Sequence, residues 1–332
     1  MNWAVIMAGG VGERFWPLSR RKQPKQLQAI VTKRTMIQET VRRIRPLVPA
    51  SRIVVVTNRE QAPAVRRQLP GVKHILAEPV GRNTAPCIAW AVQYIAKRDP
   101  YAVMAVLPSD SHIENAERYR QVVAAALALA GKEKVLITVG IQPTRPATGY
   151  GYVQLGQAMT AGFWRAKRFV EKPDLATAKK FVANGQYRWN AGMFVWSAAA
   201  ISEAYRQHVP DIWQGVTGEY AKVEKISVDY AIMEKADNVV VASGDFDWDD
   251  VGDWSAIERH TAKDVTGNAV RGAFVGVDAA NNIVVTGRDH LVGVVGVSDL
   301  VIVHTPDATL VCRKQDAQRV RELVKQLPKR NL

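Results

Sequence analysis

Short runs of β-branched and aliphatic residues alternate with longer amphipathic stretches through about the first two hundred positions of the chain. The runs at 3–7, 52–57 ("RIVVVT"), 72–78 ("VKHILAE"), 101–108 ("YAVMAVLP") and 134–140 ("KVLITVG") predict strands. The stretches 35–45, 60–69, 85–98 and 117–130 predict helices between them. Such alternation is that of βαβ units, so the expected fold is α/β with a parallel or mixed central sheet. One helix carries its own start signal in "RNTAPCIAWAVQYIAKR". Asn83 or Thr84 can cap it, Pro86 falls in the first turn where its missing N–H costs nothing, and Ile88, Ala91, Val92 and Ile95 form one apolar stripe.

After about 140 the pattern changes. "GYGYVQL", "WRAKRFVEKP" and "WNAGMFVWSA" read as strands with polar or glycine-bearing edges, separated by a helix at 174–184, a mixed region suited to the wall of a second substrate pocket. From about 262 onward the chain is rich in Gly and Val, with short strands between Asn, Asp and Gly turns and a helical pattern only at 315–327. The expected division is a main domain at 1–261 and a small β-rich C-terminal domain at 262–332, closed by a terminal helix. The valine-rich runs at 274–277, 283–286 and 291–303 suit either a rudimentary β-coil with an oligomer surface or a sheet that caps the main domain.

Composition narrows the function classes. A chain of 332 residues, 47% hydrophobic, buries a full core. No apolar run approaches the roughly 20 residues that span a bilayer, and the first ten lack the pattern of a secretory signal, so the expected location is the cytoplasm, with no membrane partner. Cys87 and Cys312 are the two cysteines, and the six histidines form no tight pair, which argues against a disulfide framework or a Cys/His zinc site. The net charge of +14 invites a nucleic-acid partner, but the excess is dispersed and its densest cluster, Arg20 to Lys25, belongs to one N-terminal stretch. A site for polyanionic small molecules accounts for the positive potential equally well, and no nucleic-acid partner is expected.

That stretch, "MAGGVGERFWPLSRRKQPKQL" at 7–27, follows the first predicted strand at its carboxyl end, where α/β sheets bind ligands. Gly9, Gly10 and Gly12 let backbone N–H groups approach phosphate oxygens, and Arg14 and Lys25 can neutralise them. A tight turn beside a solvated basic segment fits the same residues. Neither the P-loop pattern nor the GxGxxG dinucleotide fingerprint is present.

The whole stretch resembles the signature of nucleotidyltransferases that activate sugar phosphates, and within them that of the mannose-1-phosphate guanylyltransferases. The resemblance continues in "EPVGRNTAPCIAWA" (78–91), "LPSDSHI" (107–113), "GYGYV" (149–153), "FVEKPD" (169–174), "WNAGMFVW" (189–196), "SVDYAIMEK" (227–235) and "DWDDVGDW" (247–254). It implies a Rossmann-like nucleotidyltransferase fold with a mixed central sheet plus a small β-rich C-terminal domain, often used for dimerisation, so a homodimer is expected. One departure is the serine before the histidine in "LPSDSHI", which leaves His112 without an expected chemical role.

What the resemblance implies is transfer of the guanylyl group of GTP to α-mannose 1-phosphate, giving GDP-mannose and pyrophosphate. The rival within the class is uridylyl or thymidylyl transfer to glucose 1-phosphate, in which "GRNTAP" and "WNAGMFVW" would be unexplained. Asp110 and Asp250 match the aspartates that hold the divalent ion, expected to be Mg²⁺, and with Arg14 and Lys25 they are the expected catalytic set. Gly9, Gly10, Gly12, Arg14, Asn83, Thr84 and Ser109 are the expected nucleotide-binding positions, with Asn83 and Thr84 the candidates for reading guanine. Lys172 matches the lysine that binds the sugar phosphate, while Gly151, Glu171 and Asn190 match positions that contact the sugar. Asp247, Asp249 and Asp253 crowd Asp250 and compete with it for the ligand role.

Overall fold

The computed structural model describes residues 1–328 and Asn331. They fall into two compact units, one made of Met1–Gly9, Thr40–Ser109 and Ile113–Trp248, the other of Gly10–Glu39, Asp110–His112 and Asp249–Leu332. The elements in chain order are β1 (Asn2–Met7), α1 (Met36–Ile44), β2 (Ile53–Asn58), α2 (Ala62–Gln68), β3 (His74–Glu78), α3 (Thr84–Ala96), β4 (Val103–Pro108) and β5 (His112–Ile113). Then come α4 (Ala116–Ala130), β6 (Leu136–Ile141), β7 (Tyr152–Thr160), β8 (Phe163–Val170), α5 (Leu175–Asn184), β9 (Tyr187–Ser197), α6 (Ala198–His208), α7 (Pro210–Gly215), β10 (Val239–Ser243), β11 (Trp248–Asp249) and α8 (Ser255–Arg259).

The first unit is built on a nine-stranded sheet in the order β3-β2-β1-β4-β9-β6-β10-β8-β7. β1 runs parallel to β2 and β4, while β9 lies antiparallel between β4 and β6, so the sheet is mixed, as the sequence pattern led us to expect. Val54, Val56, Met104, Val106 and Trp196 of the sheet share a buried cluster with Ile88, Val92 and Ile95 of α3 and Ile201 and Tyr205 of α6. α3 starts where its capping signal places it: Asn83, at φ 70°, accepts the Thr84 N–H at 2.8 Å. Between β6 and β9 the register shifts around Thr138 and Gly140, and such a bulge re-aims side chains.

In the second unit the C-terminal strands form a parallel coil. β12 (Ala269–Arg271), β14 (Ile283–Val285) and β16 (Leu300–Thr305) are parallel neighbours, with Ala269 opposite Ile283 and Ile283 opposite Val301, and β17 (Ala308–Arg313) closes the sheet antiparallel. β13 (Ala273–Val277) and β15 (Leu291–Val295) pair in parallel as a second sheet. Buried asparagines turn the corners: Asn268 Oδ1 accepts the Asn282 N–H at 2.9 Å, and Asn282 Oδ1 accepts the Leu300 N–H at 2.9 Å. Each side-chain amide thus satisfies a backbone donor of the next rung.

The segment 10–39 belongs to this unit. Phe15, Trp16, Ile30 and Met36 share one core with Trp254, Ile257, Ile283, Val301 and Val303, and Trp254 Nε1 donates to the Trp16 carbonyl at 3.1 Å. The expected single helix at 315–327 is instead a 3₁₀ segment, Lys314–Arg319, followed by the short α9 (Val320–Val324). A 3₁₀ turn eclipses positions three apart, which brings Ala317 and Val320 together on the core side. Among the described residues, no helix is long and apolar enough to cross a membrane.

Candidate active site

The sequence-predicted residues gather into distinct groups, the first lying wholly in the second unit. Gly12, at φ 72°, ends the glycine loop, and a Cβ there would collide with Lys25, so only glycine lets the basic segment close back onto the loop. Ser19 Oγ donates to the Gly12 carbonyl at 2.6 Å, the Lys25 N–H to the Val11 carbonyl at 3.2 Å, and Gln26 Nε2 to the Gly10 carbonyl at 2.9 Å. Lys25 is consequently buried, a rare state for a lysine and one that calls for charged or polar partners. Its Nζ donates to Asp110 Oδ2 at 2.9 Å and to the Asp250 backbone carbonyl at 2.9 Å. One ammonium therefore joins the two segments that bear the predicted ion ligands. Arg14 reaches the Gly252 carbonyl at 3.5 Å, in the same loop as Asp250.

The crowded acidic run sorts itself by partner. Asp253 is buried and spent on Ser255 and, at 2.8 Å, on Gln318 Nε2. Asp249 accepts from Arg259, His260 and the Val251 N–H; burial pushes its pKa up, but these hydrogen bonds outweigh it and hold the carboxyl well below the usual range. A hard divalent ion such as Mg²⁺ takes one or two carboxylates and completes its shell with phosphate oxygens and water. The partly exposed Asp110 carboxylate and the nearby DDVG segment fit that demand, and a cluster of three protein ligands is not needed for it. Among the described residues, no group of three His, Cys, Asp or Glu stands close enough to hold a metal ion without further ligands.

A second group lies at the carboxyl ends of β1, β3 and β4 in the first unit. The Ser109 N–H bonds the Met7 carbonyl at 3.1 Å and its carbonyl accepts from Thr40 Oγ1 at 3.3 Å. Asn83 and Thr84 are engaged within the protein, Asn83 as the cap of α3 and Thr84 Oγ1 as acceptor of the Val228 N–H at 2.9 Å. Sequence reasoning passed over Glu78, which ends β3 and is 3% exposed. Its Oε1 accepts from Tyr220 Oη, and its Oε2 lies 3.1 Å from the position a Cβ on Gly9 would take. Burial pushes the carboxyl up to about 7, although the Tyr220 bond works the other way. The available signal was an acidic residue closing the apolar run 75–77 of β3.

The third group surrounds the bulge in β9. Asn190 Oδ1 accepts from Thr138 Oγ1 at 2.7 Å and from the Gly192 N–H at 3.1 Å, its Nδ2 donates to Asp229 Oδ1 at 2.8 Å, and its backbone N–H bonds the Gly151 carbonyl at 2.8 Å. Glu171 pairs with Lys172, while the Glu171 N–H donates to Glu234 Oε1 at 2.9 Å. Burial draws the Lys172 pKa down, but the hydrogen bond and charge of Glu171, with Asp229 behind it, raise it overall. Asp229, also passed over in the sequence, is pushed up to about 6 by burial and by the neighbouring Glu171 charge. Gly151, Glu171, Lys172 and Asn190 thus form one polar cluster, joined by Asp229 from the "SVDYAIMEK" stretch.

Residues 3–267 match the family model described as nucleotidyl transferase, and residues 272–327 match that of the MannoseP isomerase/GMP-like beta-helix domain. The xanthan biosynthesis protein XanB of Xanthomonas campestris is 39% identical over 97% of this chain and 72% of its own length. A mannose-1-phosphate guanylyltransferase of Klebsiella pneumoniae is 37% identical over 96% of this chain and 72% of its own. A crystal structure titled mannose-1-phosphate geranyltransferase, from Thermus thermophilus, superposes with a TM-score of 0.90 at 37% identity and 98% coverage of both chains. The chain belongs to the nucleotidyl transferase family, in its mannose-1-phosphate guanylyltransferase branch.

Proposed function

We propose that the protein transfers the guanylyl group of GTP to α-D-mannose 1-phosphate, releasing pyrophosphate and forming GDP-mannose. The observation that carries this reading is the buried Lys25 ammonium, held by the Asp110 carboxylate and the Asp250 carbonyl beside the glycine loop. A fixed cation beside a partly exposed carboxylate, Asp110, suits a phosphoryl-transfer centre, where charge on the transferring group must be neutralised. The sugar phosphate is already an anionic nucleophile, so the protein supplies orientation and charge stabilisation rather than a general base.

In this reading the backbone of Gly9, Gly10 and Gly12 and the Arg14 and Lys25 side chains hold the triphosphate, with Ser109 and the start of α3 at Asn83 and Thr84 beside the nucleoside. Guanine presents N1–H and N2–H donors, and Glu78 Oε2 is an acceptor for them. Lys172 takes the phosphate of the sugar 1-phosphate, while Glu171, Asn190 and the Gly151 backbone take sugar hydroxyls. Asp110 and Asp250 would hold Mg²⁺, which supplies charge neutralisation on the phosphates. The functional division falls at 1–261 for catalysis and 262–332 for the β-rich domain. A homodimer forms through the exposed apolar residues of β13 and β15, and the enzyme works in the cytoplasm with its nucleotide substrate.

Pyrophosphate release from each of GTP, ATP, UTP and dTTP, paired with mannose 1-phosphate or glucose 1-phosphate, tests the selectivity. GTP with mannose 1-phosphate should give the highest kcat/KM. Preference for UTP or dTTP with glucose 1-phosphate would replace this reading with its rival.

A further inference from the structure

We infer that Asp249, Arg259 and His260 form a clamp that presets the Asp250 loop for the divalent ion, acting as positioning residues rather than as ligands. The inference rests on the proposed role of Asp250 as an ion ligand. Asp249 accepts Arg259 Nε at 2.6 Å and His260 Nε2 at 2.9 Å on Oδ2, and Arg259 Nη2 at 2.9 Å and the Val251 N–H at 2.8 Å on Oδ1. Four donors from three residues fill the acceptor sites of one carboxylate, which leaves Asp249 no capacity to ligate an ion of its own.

The shape of the next three residues shows what the clamp holds. Val251 is fully buried and stands at φ 48°, a left-handed conformation that a β-branched residue adopts only when its surroundings enforce it. Two enforcing contacts are visible: its side chain is locked in the core with Trp254 and Ile283, and its N–H is fixed by Asp249. The turn folds the Asp250 carboxylate over Gly252, where a Cβ would stand 2.7 Å from Asp250 Oδ2, and directs the Asp250 carbonyl to Lys25 Nζ. Release of Asp249 from the Val251 amide would free the loop to relax toward an ordinary conformation and take Asp250 with it.

The clamp also touches the other ligand-bearing segment. The His260 ring packs edge-on against His112, with centroids 4.5 Å apart at 63°, and His112 is two residues from Asp110. The Asp110 and Asp250 segments are therefore joined twice, through Lys25 and through the His112, His260 and Asp249 chain of contacts. Outer contacts of this kind orient ligand carboxylates, and their loss typically weakens metal affinity or activity about 10- to 100-fold.

The test is the factor by which Mn²⁺ tightens GTP binding to the full chain, from calorimetric titrations with Mn²⁺ and with EDTA. Arg259→Ala and Asp249→Asn should each lose about tenfold or more of that tightening while metal-free GTP affinity and the KM for mannose 1-phosphate stay unchanged. Arg259→Lys, which keeps the charge and one donor, should recover part of it. Asp250→Ala should lose all of it; retention of the full factor in that variant would overturn the ligand reading and the inference with it. If Asp250→Ala loses the factor while folded Arg259→Ala and Asp249→Asn keep the wild-type value and show only a lower melting temperature, the clamp is structural and the inference fails. Arg259 is a partly exposed side chain, so its variants keep the test decisive even if a change at Asp249 prevents folding.

Discussion

Lys25 and Asp110 form an ion pair of 2.9 Å whose two ends differ in exposure, the lysine side chain at 6% and the aspartate side chain at 39%. The cation is fixed in the protein and the anion keeps a face toward solvent. With its cation buried the pair is not a surface salt bridge, and a buried ammonium held next to a partly exposed carboxylate is suited to act on a bound anion.

Lys25→Ala is expected to keep the fold and to lower kcat by roughly 10²- to 10³-fold, the range seen when one preorganised charge or donor is removed from a transition state. Lys25→Arg should recover little, because the planar guanidinium cannot occupy the space of a compact ammonium. Steady-state pyrophosphate release beside a thermal melt by circular dichroism checks both. Near wild-type turnover in folded Lys25→Ala would remove the residue from the chemistry.

Lys172 separates the substrates. Lys172→Ala should weaken mannose 1-phosphate binding by about 10- to 100-fold, the loss of one charge-assisted contact, and leave GTP affinity unchanged. Calorimetry with each ligand alone decides it, and an equal loss for both would contradict the assignment.

Glu78 predicts a pH dependence with a definite sign. Its carboxyl rises from 4.5 to about 7 on folding, so between those values the folded state retains a proton that the unfolded chain has lost. The stability contribution is full below the lower value and is lost as pH rises toward the upper one, at a slope of up to about 1.4 kcal/mol per pH unit. Glu78→Gln should flatten that decline in urea denaturation at a series of pH values and, if Glu78 accepts from guanine, weaken GTP binding above neutral pH. Parallel stability curves for the two proteins would show that the carboxyl is not desolvated as described.

The β13 and β15 sheet presents Val275, Val277, Leu291 and Val295 at 57%, 54%, 60% and 72% exposure. Their register, Ala273 opposite Leu291 and Val277 opposite Val295, puts them on one face. Leu291→Lys with Val295→Asp should halve the mass seen by light scattering and leave the melting temperature of the separated chains near its value. An unchanged mass would place any dimer contact elsewhere.

Much of the first unit was legible in the chain. The five N-terminal strand runs fall within two residues of β1, β2, β3, β4 and β6, because valine and isoleucine runs between capped amphipathic helices leave little freedom. The membership of the second unit was not legible. Nothing local ties Phe15 and Ile30 to Ile283 and Val301, which lie 253 to 286 positions away in the chain and meet only in the folded core. Local pattern also failed at 315–327, where a helical stripe hid a 3₁₀ turn. In the candidate site, the motifs pointed to Asp250 among the acids of "DWDDVGDW", but the partners that engage its neighbours were not legible in the pattern. Which of them is occupied depends on Arg259, His260 and Gln318, contacts that periodicity does not encode.

The most direct test of guanylyl transfer follows the label. With GTP radiolabelled at the α-phosphorus and unlabelled mannose 1-phosphate, the purified protein should place the label in GDP-mannose and release unlabelled pyrophosphate in equal amount. GTP labelled at the γ-phosphorus should put its label in pyrophosphate alone. Label from the γ-position appearing in a sugar product, or no sugar nucleotide formed while GTP is consumed, would contradict the account.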